Sequence, residues 1–292
     1  MRLPQIDAEA VARLIPGVTD VELIDQGGQK LVFKARLGEQ LYALKFLLLI
    51  AGNTNEDGEI ETVRARADRE VSIMQTCTSP YMVKLGPIGM EIATIEKQDI
   101  VYFSEELISG DSLKVVLSKQ SLDVASTIDL GLQIGNAIDA LWEIEKVHRD
   151  IKPGNIMRRD DGSFVLLDAG LAFDLGGDSL SVGMVVGTFI YCSPEQFDYS
   201  NRRALDFRSD MFSLGVTMYE ACTGQHPFYR SGLTESRIFS GILTHQPPQP
   251  NSINPNIPPE LGDIIIKMMG KSPHLRFRKM EQLVKALEAL KG

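Results

Sequence analysis

His148-Arg149-Asp150-Ile151-Lys152-Pro153-Gly154-Asn155 is the stretch on which the reading of this chain turns. It sets a carboxylate, Asp150, two residues before an ammonium, Lys152, and five before an amide, Asn155. Upstream, Ile128, Leu132, Ile134, Ile138, Leu141 and Ile144 give helical periodicity across Ser126–Lys146. Downstream, Phe164–Leu167 is a short apolar run of strand type, followed at once by Asp168-Ala169-Gly170. Taken alone, the stretch is a polar loop after a helix, and any one of its charges is ordinary solvated surface. The segments farther out decide whether that bland account holds.

Toward the C-terminus come Gly187-Thr188-Phe189-Ile190-Tyr191 and Ser193-Pro194-Glu195. Asp210–Cys222 is apolar on nearly all sides, as a helix buried in a large domain would be, and Gly224 can end it. Pro247–Pro259 reads as a connector, since its prolines cannot continue a helix or a central strand. The last helix repeats Met280, Leu283, Val284, Leu287 and Leu290, and Pro273 and Arg276 lie before it. Trp142, on the helix before the loop, reads as core. Toward the N-terminus, Val21–Ile24, Leu31–Arg36 and Leu41–Leu49 read as strands, and Gly52–Glu61 as an exposed loop. Thr62–Thr76 is helical, with Val63, Ala67, Glu70 and Met74 on one face. Glu70 is thus either an inward-facing carboxylate or a residue bordering the apolar stripe. Residues 1–16 hold an amphipathic stretch, Ile6, Val11 and Leu14, which is a docking helix or a frayed end.

The loop has the form H-R-D-x-K-x-x-N, and at ~5% per residue type its five fixed positions recur by chance with odds of ~10⁻⁴ over the chain. With Ala43-Leu44-Lys45, Glu70, Asp168-Ala169-Gly170, Thr188, Ser193-Pro194-Glu195, Asp210 and Arg276 in that order, the chain resembles the protein-kinase superfamily over roughly residues 18–290. The Pro247–Leu261 segment is most similar to bacterial Hanks-type Ser/Thr kinases. The resemblance implies an α+β, two-lobed fold: an extension over 1–17, a small β-rich N-lobe over 18–107 and a larger helical C-lobe over 108–292. It implies that ATP phosphorylates protein Ser or Thr hydroxyls with Mg²⁺, or Mn²⁺ in its place, and it gives each residue a role. Asp150 would orient and deprotonate the hydroxyl, and Lys152 would contact the γ-phosphate. Lys45 would hold the α- and β-phosphates with Glu70 as its counter-charge, and Asn155 and Asp168 would ligate the cation with hard oxygens. Glu106–Ile108 would offer backbone groups to adenine, and Gly27, Gly28 and Val32 would line the nucleotide loop. Arg149, Asp210 and Arg276 are structural, with Arg276 pairing Glu195.

Several positions depart from the family's pattern. Asp25, Gly27 and Lys30 stand where three glycines are usual, so the phosphates lose some close backbone approach. Ala169 replaces a phenylalanine that packs under the helix bearing Glu70. Glu105 falls at the back of the adenine pocket, where a buried carboxylate is costly unless neutral or paired. Ser179 and Ser181 lie where bacterial relatives are phosphorylated. Autophosphorylation and a regulatory protein partner are therefore expected. Two rivals remain: a pseudokinase serving as a binding module, favoured by the loop and Ala169, and a small-molecule phosphotransferase, opposed by Thr188 and Ser193-Pro194-Glu195.

Composition sets the outer bounds. The 292 residues are 43% hydrophobic and 24% charged, the profile of an ordinary globular protein with one large core or two lobes. With 39 acidic against 30 basic side chains, the net charge of −9 disfavours nucleic acid as a partner. Cys77, Cys192 and Cys222 lack metal-ligand spacing and read as free thiols. The longest apolar run, Leu41–Gly52, is broken by Lys45 and falls short of the ~20 residues that span a bilayer. No membrane contact and a cytoplasmic address are expected.

Overall fold

The computed structural model describes residues 6–26, 30–48, 63–95, 98–168, 189–198 and 205–291. Contacts divide the chain into two compact units, Met1–Thr76 with Val83–Ile108, and Cys77–Met82 with Ser109–Gly292. The expected α+β composition is present, with a sheet in the first unit and mostly helices in the second.

The first unit is built on strand alternation. Strands β1 (Val18–Gln26), β2 (Lys30–Leu37), β3 (Gln40–Leu48), β4 (Glu91–Ile95) and β5 (Gln98–Glu106) form an antiparallel sheet in the order β1-β2-β3-β5-β4. Successive side chains of a strand face opposite sides. Leu31, Phe33 and Ala35 of β2 therefore join Leu44 and Phe46 of β3 and Ile100 of β5 in one apolar cluster. Helix α1 (Ala8–Leu14) covers that cluster with Val11, and Ile6 and Ile15 flank it. The N-terminal stretch is thus a docked helix, started by the Asp7 carboxylate accepting the Ala10 N–H at 2.8 Å. The opposite face carries Val32, Ala43, Lys45, Phe103 and Glu105, where Val32 and Phe103 both lie directly across from Lys45. Helix α2 (Val63–Thr76) packs against β3 and β5 and buries Ala67, Glu70 and Met74.

In the second unit, β6 (Gly110–Ser112), β7 (Ile156–Arg159) and β8 (Phe164–Leu166) make a short antiparallel ladder. Helices α3 (Leu113–Lys119) and α4 (Val124–Glu143) separate β6 from β7 in sequence. Helix α5 (Phe207–Thr223) is buried on almost every side, as its apolar sequence requires, and ends at Gly224 with φ of 71°. It packs against α4, and α4 in turn against α9 (Met280–Glu288). Close approach there needs Gly131, whose added Cβ would meet the Met218 and Leu287 side chains at 2.7 Å.

Between α5 and α9 run α6 (Glu235–Thr244), α7 (Pro250–Ile253) and α8 (Pro259–Met268). Two expectations are corrected in this unit. The segment 247–259 is not only a connector, because Pro250 and Pro259 each occupy a first helical position, where a missing N–H costs nothing. Trp142 is not core: it is 40% exposed and lies with its ring 5.5 Å from that of Phe207.

Candidate active site

Lys45 is the centre of the first unit's polar interior. It points from β3 into the face covered by α2 and is 1% exposed. Its ammonium lies 2.5 Å from Glu70 Oε1 and 3.4 Å from Glu105 Oε2, and 5.5 Å from the centre of the Phe103 ring. Glu70 is inward-facing, one of the two readings the helical spacing left open. Glu105 is buried as a carboxylate and paired through the same lysine. The glycine-poor turn ends in another ion pair, Lys30 to Asp25 at 3.7 Å. At the end of β5 the Glu106 N–H donates to Lys84 O at 2.9 Å, and the Glu106 carboxylate accepts the Lys84 N–H at 3.0 Å. The Glu106 N–H is therefore already spent on Lys84.

The second unit organises the quoted loop through one buried carboxylate. Asp210, in the first turn of α5, accepts the N–H of His148 at 2.7 Å and of Arg149 at 2.6 Å. Burial pushes its carboxyl above the usual range, against the pull of those two N–H groups and of the Arg149 charge. Two consecutive N–H groups thus share one carboxylate, and just beyond them the chain turns at Arg149, which adopts a left-handed φ of 68°. His148 then ties the loop to the next strand. Its Nε2 donates to Leu167 O at 2.9 Å, and its Nδ1 accepts the Asp150 N–H at 3.3 Å, which fixes the Nε2–H tautomer.

Asp150 is held from both ends. Lys152 Nζ lies 2.8 Å from each of its carboxylate oxygens, and Asn155 Nδ2 donates to Oδ2 at 2.7 Å and to the Asp150 carbonyl at 2.8 Å. Pro153-Gly154-Asn155 forms a single 3₁₀ turn, closed by the Asn155 N–H on Lys152 O at 2.9 Å. That turn makes the five-residue spacing from Asp150 to Asn155 a contact. The Asn155 carbonyl accepts the Leu167 N–H at 2.8 Å, so the chain delivers Asp168 beside Asn155, with Asp168 at a left-handed φ of 55°. With the amide nitrogen of Asn155 committed to Asp150, its Oδ1 and the Asp168 carboxylate are hard oxygen donors. Such a set fits a divalent cation that keeps waters and phosphate oxygens in its shell.

Three further features support the loop. Glu195 and Arg276 make a fork-to-fork pair at 2.6 and 2.8 Å, and Ser209 Oγ donates to Glu195 Oε1 at 2.8 Å. Burial raises the Glu195 carboxyl, but the Arg276 hydrogen bonds and charge outweigh it and hold it below its ordinary value. Gln196 was not singled out by sequence reasoning, yet its Nε2 donates to Arg149 O at 3.0 Å while its Oε1 accepts the Ser193 N–H at 2.8 Å. The signal for it was present, as Ser193 and Gln196 have the S-x-x-Q spacing of a capping box. Cys192 is likewise close to the loop, its thiol pushed up to about 12 by burial and by the Asp150 charge. Gly27, Gly28, Ala169, Ser179, Ser181 and Thr188 lie outside the described residues.

Residues 18–287 match the family model of the protein kinase domain. The chain belongs to the protein-kinase family. Its kinase domain is 28% identical over 275 residues to a probable serine/threonine-protein kinase of Clostridium perfringens, covering 93% of this chain and 38% of that relative. It is 28% identical over 293 residues to serine/threonine-protein kinase A of Synechocystis sp., covering 93% of this chain and 53% of the relative. Serine/threonine-protein kinase PknE of Mycobacterium tuberculosis is 29% identical over 259 residues, with 87% of this chain and 43% of the relative covered. The likeness to bacterial Ser/Thr kinases seen in the Pro247–Leu261 segment therefore extends across the domain. The chain spans about half the length of these relatives or less.

Proposed function

We propose that this chain is the catalytic domain of a Ser/Thr protein kinase that transfers the γ-phosphoryl group of ATP to protein hydroxyls. One observation carries the reading: Asp150 is clamped by Lys152 and Asn155 in a loop whose backbone is pinned to α5 by Asp210. Little covalent help is needed for phosphoryl transfer, so positioning and charge neutralisation make up the mechanism. Asp150 accepts the proton of the substrate hydroxyl as its oxygen bonds to the γ-phosphorus and the bond to the β-phosphate oxygen breaks, releasing ADP. Lys152, shared with Asp150, neutralises charge on the moving phosphoryl group. Lys45, oriented by Glu70, holds the α- and β-phosphates. Asn155 and Asp168 would hold Mg²⁺, with Mn²⁺ an acceptable substitute, and the cation supplies charge neutralisation at the phosphates. The Glu106 carbonyl and the Ile108 backbone would meet the adenine edge, with Val32 and the Gly27-Gly28 turn lining the nucleotide.

The proposed N-lobe is 18–107 and the proposed C-lobe 108–292, preceded by the 1–17 extension; the contact division falls one residue later, after Ile108, and gives Cys77–Met82 to the second unit. Ser179 and Ser181 are the proposed autophosphorylation positions, and a regulatory protein is the proposed partner. Three free thiols, two of them buried, support a reducing, cytoplasmic setting. Among the described residues, no helix is long and apolar enough to cross a membrane.

Incubation with Mg²⁺ and γ-labelled ATP, beside Asp150→Ala and Lys45→Ala, tests the reading. Label on Ser or Thr in the unaltered chain alone is expected. Absence of label together with absence of a nucleotide-induced thermal shift would overturn it in favour of a pseudokinase scaffold.

A further inference from the structure

Lys45 is a buried cation that lies against two buried carboxylates, Glu70 at 2.5 Å and Glu105 at 3.4 Å. The three residues are 1%, 3% and 6% exposed, so solvent screens them little. They come from three elements of one unit. Glu70 reaches in from α2, while Glu105 stands on β5, rigidly registered to β3 by the pairs Ala43–Glu105 and Lys45–Phe103. Glu105 and Lys45 therefore share a sheet face as diagonal neighbours, a spacing that long side chains bridge. The two carboxylates differ in how they are carried: one rides on a helix, the other is fixed in the sheet that also carries the lysine.

We propose that Glu105 is a second, sheet-borne counter-ion of Lys45, and that it competes with the nucleotide's phosphates for that ammonium. The inference rests on the kinase reading for its ligand, but not for the ion pair itself. A lysine ammonium is a compact charge with three donors on a flexible stem, so it can serve Glu70, Glu105 and a phosphate in turn. An approaching polyphosphate has to share that ammonium with Glu105, whose carboxylate repels it. Because it stands on the sheet rather than on the helix, the same carboxylate holds Lys45 in place independently of Glu70. Glu105 is thus a positioning residue: it acts on the nucleotide through Lys45.

The test uses the full chain with two substitutions, Glu105→Gln, which keeps the shape, and Glu105→Met, which removes polarity as well. Lysine labelled with ¹³C at Cε reports the Lys45 titration by NMR without nucleotide, and titration with Mg²⁺–ATP followed by calorimetry gives affinity. The proposal expects the Lys45 midpoint to fall by a unit or more in both variants, with a further fall when Glu70→Gln is added. It also expects ATP to bind about tenfold more tightly in Glu105→Gln at a pH where Lys45 remains charged. An unmoved Lys45 midpoint would overturn the counter-ion role, and a moved midpoint with unchanged or weaker ATP binding would overturn the competition. Because the lysine titration needs no nucleotide, it still decides the pairing in a chain that fails to bind ATP, a failure that would count against the kinase reading instead.

Discussion

At His226 burial alone decides the charge state. The Nδ1 atom accepts the N–H groups of Phe228 at 3.1 Å and Tyr229 at 2.9 Å, and the ring meets Tyr191 edge-on with centres 4.9 Å apart. Burial pushes the imidazole down to about 3. An unfolded chain binds this proton near pH 6.5, whereas the folded chain refuses it until about 3. Between those values the unfolded state carries the extra proton, so stability falls as pH drops below about 6.5, by up to about 1.4 kcal/mol per unit. His226→Asn keeps an acceptor two residues before Phe228, as an Asx turn does, and removes the titration. Urea unfolding at pH 7 and pH 5.5 should show the unaltered chain losing about 1 kcal/mol more than His226→Asn. Equal losses would mean that the folded histidine takes up its proton in the ordinary range.

Elements were legible where one period ran without interruption. The apolar repeats of residues 126–146 and 210–222 mark α4 and α5 to within a few residues of their ends. β1 was harder: only Val21–Ile24 reads as strand, yet the strand runs from Val18 to Gln26. Its register shifts between Thr19 and Glu22 and again between Leu23 and Asp25, with Asp20 at a left-handed φ of 51°, and these irregularities erase the alternation. The site divides in the same way. Residue types and spacings pointed to Asp150, Lys152, Asn155 and Lys45, because short spacings convert into contacts through one turn or one register. They could not show that Asp210 anchors the loop from 60 residues away, nor which cation meets Glu105, since those depend on tertiary placement.

Helix α1 lay between these cases, as three apolar residues at helical spacing say nothing about whether a surface awaits them. The structure gives Val11 full burial against the β2 and β3 cluster, so Val11→Ala should cost roughly 2 kcal/mol of stability. Hydrogen exchange would localise that loss to amides of β2 and β3. Unchanged protection in those strands would show that α1 adds no stability to the sheet.

On the scale of the whole helical unit, one ion pair gathers segments far apart in the chain. Arg276 is 2% exposed and spends its donors on both oxygens of Glu195, on Gly270 O at 2.8 Å and on Arg208 O at 2.6 Å. Its guanidinium carbon also sits 4.9 Å from the centre of the Phe212 ring. Thus the turn at Pro194–Phe197, the start of α5 and the segment before α9 converge on a single planar cation, whose fork matches a carboxylate as no ammonium would. Arg276→Met retains the stem's packing but strands a half-buried carboxylate, so the cost should fall below the ~3–5 kcal/mol typical of a fully buried pair. Adding Glu195→Gln removes the stranded charge, so the double variant should recover part of that loss. Without Arg276, burial dominates the Glu195 carboxyl and raises it, so the single variant should regain stability as pH falls and Glu195 protonates, opposite in sign to the unaltered pair. Urea unfolding of the unaltered chain and both variants at pH 7 and pH 5 checks all three statements. A double variant no more stable than Arg276→Met would show that the loss comes from the missing backbone hydrogen bonds to Gly270 and Arg208 rather than from the stranded charge.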